Sequence, residues 1–257
     1  DKFVLVESAM THSGKPKELL FEKHKASFER YLDRLVHVVL DTLPQSDDHW
    51  VRERAQRDAI HEGVTLAGAG DEDLLMVSDV DEIPRRTTVR ALSWCEGYRS
   101  PMQLRSNFFY YSLRHRWTES GPNWVRPFQW KQPRAALLSQ LQYPRLTANH
   151  LRYDPGDGNM EEVNFAAWHL SFFGGAERIL DKIEAYAHQE NNMDDFKDRQ
   201  HIASALQDGH DLFKRGAVHG ELKNNSEPYD LPELILVSAR AGAGPHVTWL
   251  PDYFDLP

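Results

Sequence analysis

The sequence predicts an α/β protein in which a mostly parallel central sheet is flanked by helices. Two observations predict this class: short apolar runs alternate with segments of helical periodicity, and the third apolar run ends in acidic residues. Strand and helix alternate in this way because a helix is the usual connection between neighbouring parallel strands. A chain of 257 residues can bury a sizeable core. We expect one domain over residues 1–257, with 215–257 as a C-terminal extension.

The first part of the chain supplies three strands and two helices. Residues 3–6, 36–40 and 74–77 are apolar runs typical of buried strands. Residues 18–35 carry apolar side chains at three- and four-residue steps, which predicts a helix between the first two strands. Asp48 can cap a second helix before the third strand.

The later part of the chain is richer in aromatic residues. Residues 98–112 favour a strand. Residues 165–173 alternate so that His169 lies on the more polar face of a strand, and residues 176–190 predict an amphipathic helix. The polar stretch at residues 114–133 contains three tryptophans, which are either core residues or rings that stack on sugar faces: Trp117, Trp124 and Trp130.

The composition limits the classes of partner. The formal net charge is −9, from 30 basic and 39 acidic residues, and the basic residues form no long run, which argues against a nucleic-acid-binding surface. No apolar segment approaches the roughly 20 residues that span a bilayer. The single cysteine, Cys95, cannot form an internal disulfide. The chain opens directly on a strand, so we expect the natural chain to extend upstream of Asp1 by at least one strand.

The most informative segment is Ser-Asp-Val-Asp-Glu-Ile-Pro at residues 78–84, directly after the third strand. Ligands bind beyond the carboxyl ends of strands in open α/β sheets, where Asp79 and Asp81 stand. In an extended segment the two carboxylates would lie on one side, roughly 6.6 Å apart. Their repulsion, roughly 3 kcal/mol at an effective dielectric near 20, favours a bound divalent cation. The same repulsion predicts that removing Asp81 leaves stability unchanged or slightly higher. The alternative is that the acids only solvate a loop.

The chain resembles glycosyltransferase family 17 at residues 3–8, 14–17, 78–84 and 168–171. The Asp-x-Asp-Glu-Ile-Pro sequence is the most specific part of this resemblance. The resemblance implies a GT-A-type nucleotide-sugar-binding fold, a UDP-sugar donor, Mn²⁺ or Mg²⁺, a glycan acceptor and transfer with inversion. The sugar that it implies is N-acetylglucosamine. We expect a cytoplasmic protein, or a Golgi-lumenal one if the natural chain carries an N-terminal anchor.

The resemblance also suggests which residues hold the metal. We expect Asp81 to be a direct ligand and Asp79 to contact the ribose or the water shell of the metal. His169 is a candidate further ligand, with His188 as a rival, and one imidazole among oxygens favours manganese over magnesium.

Inverting transfer also requires a base that accepts the proton of the attacking hydroxyl. Glu177 follows two glycines and lies in the first turn of a helix, which makes it our first candidate. The other candidate bases are Glu190, Glu162 and Asp154. The residues expected at the nucleotide are Glu7, Ser8, Thr11 and Lys17, with Arg54 or Arg57 at the diphosphate.

Two other functions fit parts of the pattern. A strand followed by Asp-x-Asp also begins phosphotransferases and phosphatases of the haloacid dehalogenase type, in which the first Asp is the nucleophile. Glu82 and Ile83 fit that pattern poorly. A carbohydrate-binding module without catalysis would use the tryptophans and a structural cation. Slow release of UDP from a UDP-sugar distinguishes the transferase from both.

Overall fold

The computed structural model describes residues 1–121, 124–141, 147–153, 160–215 and 221–224. The chain divides into two compact units. None of the helices in these ranges combines the length and the apolar character that a membrane-spanning helix requires.

The elements are numbered in chain order. The strands are β1 Phe3–Ser8, β2 Leu35–Leu40, β3 Leu74–Val77, β4 Glu82–Pro84, β5 Met102–Tyr110, β6 His115–Gly121, β7 Trp124–Pro127, β8 Gln129–Trp130, β9 Arg134–Leu137, β10 Glu161–Ser171 and β11 Glu221–Asn224. The α-helices are α1 Leu20–His24, α2 His49–Asp58, α3 Ile60–Leu66, α4 Arg86–Trp94, α5 Ala148–Tyr153, α6 Gly175–Ala185, α7 Asp194–Lys197 and α8 Arg199–Asp208. Three 3₁₀ helices cover Lys25–Arg34, Leu138–Gln140 and Gln189–Asn191.

The first unit contains residues 1–77, 135–159 and 183–190. Its strands β1 and β2 are parallel neighbours, in register from Phe3 opposite Leu35 onwards. Strand β3 pairs with β9. Strands β1, β2 and β3 lie where the apolar runs predict them, because each run is short and is closed by polar residues.

The helices of the first unit also follow local sequence signals. The Asp48 side chain accepts a hydrogen bond from the Trp50 N–H at 2.9 Å and caps α2, which confirms the predicted cap. Helix α3 lies so close to β1 and β2 that a Cβ on Gly63 would stand 2.2 Å from the Val4 side chain. The predicted helix between β1 and β2 is present as α1 followed by a 3₁₀ helix.

The second unit contains residues 78–134, 160–182 and 191–257, of which the described part forms a sheet around β5 and β10. These two strands are parallel, whereas β10 pairs antiparallel with β4. Strand β5 pairs antiparallel with β6 and β8, and β6 pairs antiparallel with β7 and β11. Buried side chains of β5, including Met102, Leu104 and Phe109, supply much of the core.

The prediction of a mostly parallel sheet is therefore wrong, because the sheet is mixed. The physical reason lies in the connections: β5 and β6 are joined by a short turn, and such a connection permits only antiparallel pairing. The periodicity of a strand predicts its existence, but the pairing direction depends on connections elsewhere in the chain. The GT-A-type fold remains a prediction.

The connection from β10 to α6 is a tight turn built on left-handed backbone. Phe172 has φ +58°, and Gly174 and Gly175 have φ +104° and +80°. A bulky residue rarely adopts this conformation, whereas glycine adopts it freely. The turn ends β10 at Ser171 and leads into α6, which begins at Gly175.

Candidate active site at the end of strand β3

The segment 78–84 forms a turn followed by the short strand β4. The Glu82 N–H donates to the Asp79 carbonyl at 3.0 Å, which closes the turn, and the Ser78 hydroxyl donates to the Glu82 carbonyl at 2.6 Å. Val80 at its tip is 97% exposed. Asp79 and Asp81 therefore lie in a turn and not in an extended segment. These hydrogen bonds and a buried side chain fix this conformation.

That buried side chain is Glu82, which is 3% exposed. One carboxylate oxygen accepts from the Asp79 N–H at 3.0 Å, and the other accepts from the Trp130 indole N–H at 2.9 Å. Hydrogen bonds to an ionised acceptor are stronger than neutral ones. Glu82 thus fixes the turn that carries the two aspartates. The sequence predicted no role for Glu82, because nothing but its place beside Asp81 distinguishes it from other glutamates.

Asp81 is held by partners on two other elements. Its Oδ2 is 2.9 Å from Lys182 Nζ of α6, and its Oδ1 is 3.6 Å from His169 Nε2 of β10. Its carbonyl accepts from the Leu170 N–H at 2.8 Å. The side chain remains about a quarter exposed, at 24%. The structure therefore brings together two predicted site residues, Asp81 and His169, and adds Lys182.

These partners keep Asp81 ionised. Burial by itself raises the pKa of the Asp81 carboxyl, but the positive charge of Lys182 and the neighbouring His169 outweigh it and hold the pKa well below its usual range. Asp81 is consequently a fixed anion at any physiological pH. It can hold a cation or a hydrogen-bond donor, but it cannot serve as an acid.

His169 lies in an aromatic surrounding on β10. Its ring is 4.6 Å from the Phe108 ring and 5.5 Å from the Trp130 ring, centroid to centroid. The side chain is 11% exposed, and its Nδ1 is buried with no hydrogen-bond partner in the described part of the chain. Of the tryptophans considered as sugar platforms, Trp117 is buried in the core. Trp130 is part-buried and is fixed by Glu82.

The expected metal site is incomplete in the protein alone. Within the described ranges, no three His, Cys, Asp or Glu side chains come together in a way that could hold a metal ion. Asp81 and His169 supply two suitable donor atoms, an oxygen and a nitrogen. A metal bound here would need its other ligands from substrate and water, as is common for Mg²⁺ and phosphate substrates.

The candidate base Glu177 lies on the surface, with its side chain 70% exposed. Both of its carboxylate oxygens accept from the Arg199 guanidinium, one of them at 3.1 Å. These hydrogen bonds lower the pKa of Glu177, which weakens it as a base while the pair persists.

The other candidate bases lie in different surroundings. Glu190 contacts His188, its Oε1 standing 2.5 Å from the imidazole Nδ1, and the net effect of burial and this hydrogen bond is a lowered pKa. Glu162 forms a 2.8 Å ion pair with Arg105. Asp154 lies outside the described residues. His188, the rival metal ligand, stacks edge-on to the Trp50 ring at 4.6 Å, so it packs within the first unit.

The residues expected at the nucleotide all belong to the first unit. The Glu7 carboxylate is buried and accepts from the N–H groups of Phe21 and Glu22 at 2.9 and 3.3 Å. Ser8 is fully buried, and its hydroxyl accepts from the Met10 N–H at 3.0 Å. These two side chains stabilise the backbone around the end of β1.

Thr11 and Lys17 flank the loop that follows β1. The Thr11 hydroxyl accepts from the Lys15 N–H at 2.9 Å and lies 2.9 Å from the Ser13 hydroxyl. Burial lowers the pKa of Lys17, and the nearby Glu7 opposes this shift. The loop thus presents hydroxyl and ammonium groups that suit phosphate oxygens.

The arginines of α2 divide into buried and exposed ones. Arg57 is buried and donates to Glu53 at 2.8 Å and to Asn149 at 3.0 Å. Arg54 is about half exposed and pairs with Asp48 at 3.3 Å. Arg52, which sequence analysis did not select, is also buried, and its guanidinium donates to the His12 and Ser46 carbonyls. Of the two predicted arginines, Arg54 is the more accessible to a ligand.

Comparison with known proteins decides the class to which this chain belongs. The model of glycosyltransferase family 17 matches residues 1–216, which covers most of the chain. The chain belongs to glycosyltransferase family 17. This result confirms the assignment made from sequence motifs.

Curated relatives of this family 17 chain bear one name. Beta-1,4-mannosyl-glycoprotein 4-beta-N-acetylglucosaminyltransferase from Rattus norvegicus is 24% identical over 246 aligned positions, which cover 81% of this chain and 43% of the rat protein. The proteins of the same name from Mus musculus and Homo sapiens are each 23% identical, with the same coverage. The chain thus spans less than half the length of the curated relatives that it matches. No solved structure matches the chain significantly.

Family membership bears directly on the alternatives raised by the sequence. It places the chain among glycosyltransferase enzymes, as expected. None of the matches supports a phosphotransferase of the haloacid dehalogenase type or a non-catalytic carbohydrate-binding module.

Proposed function

We propose that this family 17 chain transfers N-acetylglucosamine from a UDP-sugar to a hydroxyl of a glycan, with inversion at the anomeric carbon. Family membership and the names of the relatives support the reaction class and the sugar. The observation that carries the site is the fixed turn after β3, which presents Asp81 as a permanent anion beside Lys182 and His169.

The chemistry requires that the negative charge on the departing diphosphate be neutralised. Lys182 and His169 are cationic or hydrogen-bonding groups already placed around Asp81. A divalent cation would be held by Asp81 and His169, with Asp79 at the ribose or the water shell. Such an ion, Mn²⁺ or Mg²⁺, supplies Lewis-acid stabilisation of phosphate oxygens. Glu82 holds in place the turn that carries Asp81.

For the nucleotide, we propose Thr11, Lys17 and Arg54 as the groups that contact the donor. They present a hydroxyl, an ammonium and an accessible guanidinium in the first unit. Glu7 and Ser8 act by fixing the backbone that follows β1. Arg57 remains a predicted diphosphate contact, although its buried ion pair with Glu53 gives it a structural role already.

Glu177 remains our first candidate for the base. Because Arg199 pairs with its carboxylate in the free protein, an acceptor must displace Arg199 before Glu177 can take a proton. Glu190 is the second candidate, since its contact with His188 would allow a proton to move on to the imidazole.

The experiment measures turnover of the donor and then determines the stereochemistry of the glycosidic bond in the product. The protein is incubated with UDP-N-acetylglucosamine, UDP-glucose, UDP-galactose or UDP-N-acetylgalactosamine in the presence of Mn²⁺, and released UDP is measured with a range of glycan acceptors. We expect fastest release from UDP-N-acetylglucosamine. NMR of the product should show a β-linkage from the α-linked donor. An α-linked product would contradict inversion, and faster release from another sugar would contradict the proposed donor.

A further inference from the structure

A cation of the chain already contacts the carboxylate to which the proposed function assigns a metal. Lys182 Nζ lies 2.9 Å from Asp81 Oδ2, and His169 Nε2 lies 3.6 Å from Oδ1. A divalent ion on this carboxylate would stand within a few ångströms of the Lys182 ammonium. Charges at such distances repel strongly, so the two cations cannot share the site.

The fold fixes the position of the Lys182 side chain, which does not extend freely into solvent. The left-handed backbone at Phe172 and the two glycines that follow turn the chain from β10 into α6, which carries Lys182. The Lys182 ammonium also lies 4.7 Å from the centroid of the Phe172 ring, a cation–π contact. Its side chain is only about a third exposed, at 35%. Two independent interactions therefore hold the ammonium against Asp81.

The surroundings of His169 agree with a resident ammonium. A histidine that ligates a metal almost always donates its other ring N–H to an acceptor, which fixes the ring. His169 Nδ1 is buried, yet none of the residues that the structure describes provides it with a hydrogen-bond partner. Asp81 and His169 are thus close together, but they are not arranged in advance to bind a free metal ion.

We propose that Lys182 is the resident counter-ion of Asp81, and that a divalent cation reaches this carboxylate only by displacing it. The inference rests on the proposed function, which places the metal at Asp81. In the absence of donor the protein binds the ion weakly. A nucleoside diphosphate favours the exchange in two ways, because its oxygens ligate the ion and also give Lys182 another anion to contact. Binding of metal and donor is consequently coupled.

The test measures Mn²⁺ binding without any nucleotide, from the loss of the free Mn²⁺ signal in electron paramagnetic resonance. Lys182→Met removes the charge and keeps an apolar stem against Phe172. We expect this variant to bind Mn²⁺ roughly tenfold more tightly than wild type, or better, because one cation no longer repels another. Lys182→Arg should bind as weakly as wild type. The matched control is Lys23→Met, which removes an ammonium 2.7 Å from Glu18 on the surface and should change nothing.

A double variant assigns the gain to its site. Adding Asp81→Asn to Lys182→Met should abolish the tighter binding, whereas persistence of the gain would overturn the proposal. Equal affinity of wild type and Lys182→Met would also overturn it. Circular dichroism and melting confirm that each variant is folded, and Lys182→Gln replaces Lys182→Met if the latter is not.

The same measurements distinguish failure of the displacement proposal from failure of the proposed glycosyltransferase function. Donor turnover without a gain in Lys182→Met would refute the displacement and leave glycosyl transfer intact. A gain in Mn²⁺ affinity without donor turnover would support the displacement and refute the transferase.

Discussion

The carboxylate of Asp81 is the residue-scale feature on which the proposed chemistry depends. The sequence places it beside another acid and suggests crowding of like charges. The structure instead places the Lys182 ammonium on one oxygen of the carboxylate and the His169 imidazole 3.6 Å from the other. Lys182 is 101 residues away in the sequence. No local pattern marks it, because a lysine on an amphipathic helix is ordinarily a solvated residue.

Replacing Asp81 by Asn should destabilise the protein, contrary to what crowding predicts. The variant loses a charged hydrogen bond in a partly exposed pair, so we expect about 1–2 kcal/mol lower free energy of unfolding at pH 7. The pKa of Asp81 is lowered in the folded state. Its contribution is therefore complete above the unfolded pKa of about 4 and declines as the pH falls towards the folded value. Urea unfolding at pH 7 and pH 3 should show a smaller difference at pH 3.

Glu82→Gln tests whether this buried acid fixes the turn. The two carboxylate oxygens now accept from the N–H groups of Asp79 and Trp130. A glutamine side chain has only one oxygen acceptor, so its NH₂ group would face one of these two donors. We expect a loss of about 1–3 kcal/mol in stability, together with a shift in Trp130 fluorescence. The exposed Glu29→Gln is the control and should be neutral. A neutral Glu82→Gln would remove the positioning role.

Glu177→Gln tests the proposed base. The change keeps size but removes the proton acceptor, so donor affinity measured by calorimetry should survive while transfer falls roughly 10²–10⁴-fold. Glu190→Gln is measured in parallel. If Glu177→Gln transfers normally and Glu190→Gln does not, the base is Glu190; loss of donor binding with Glu177→Gln would make it a binding residue.

At the scale of elements, features that depend on neighbouring residues were predicted correctly from the sequence. Features that depend on residues distant in the sequence were not. The strand at 74–77 and the Asp48 cap were predicted because a short apolar run and a side-chain cap depend on adjacent residues only. The mixed sheet was not, because strand direction depends on the connections between strands. The same reason explains why His169 was found near Asp81 only through the family resemblance.

Gly63→Ala tests the close packing of α3 on β1 and β2. Alanine normally stabilises a helix interior by about 1 kcal/mol relative to glycine. Here the added methyl group would meet Val4 at 2.2 Å and Val38 at 3.2 Å. We expect the steric cost, about 1–3 kcal/mol, to exceed the gain and lower the melting temperature. Glu62→Ala, an exposed position on the same helix, should not. A higher melting temperature for Gly63→Ala would contradict the described packing.

At the scale of the whole molecule, the family match covers a longer part of the chain than the residues that the structure describes. Residues 1–216 match family 17, whereas the chain spans less than half of each curated relative. The residues proposed for the nucleotide lie in the first unit, and Asp81, His169 and Glu177 lie in the second. An assay of the proposed reaction therefore uses a protein that contains both units.

The most direct measurement is UDP release from UDP-N-acetylglucosamine by wild type and Asp81→Asn, with Mn²⁺ present and both proteins shown to be folded by circular dichroism. We expect wild type to release UDP above the buffer rate. Asp81→Asn should be at least about 10²-fold slower, since it loses a charged group that organises the site. Equal rates in the two proteins, or no release by wild type from any UDP-sugar, would contradict a glycosyltransferase centre at Asp81.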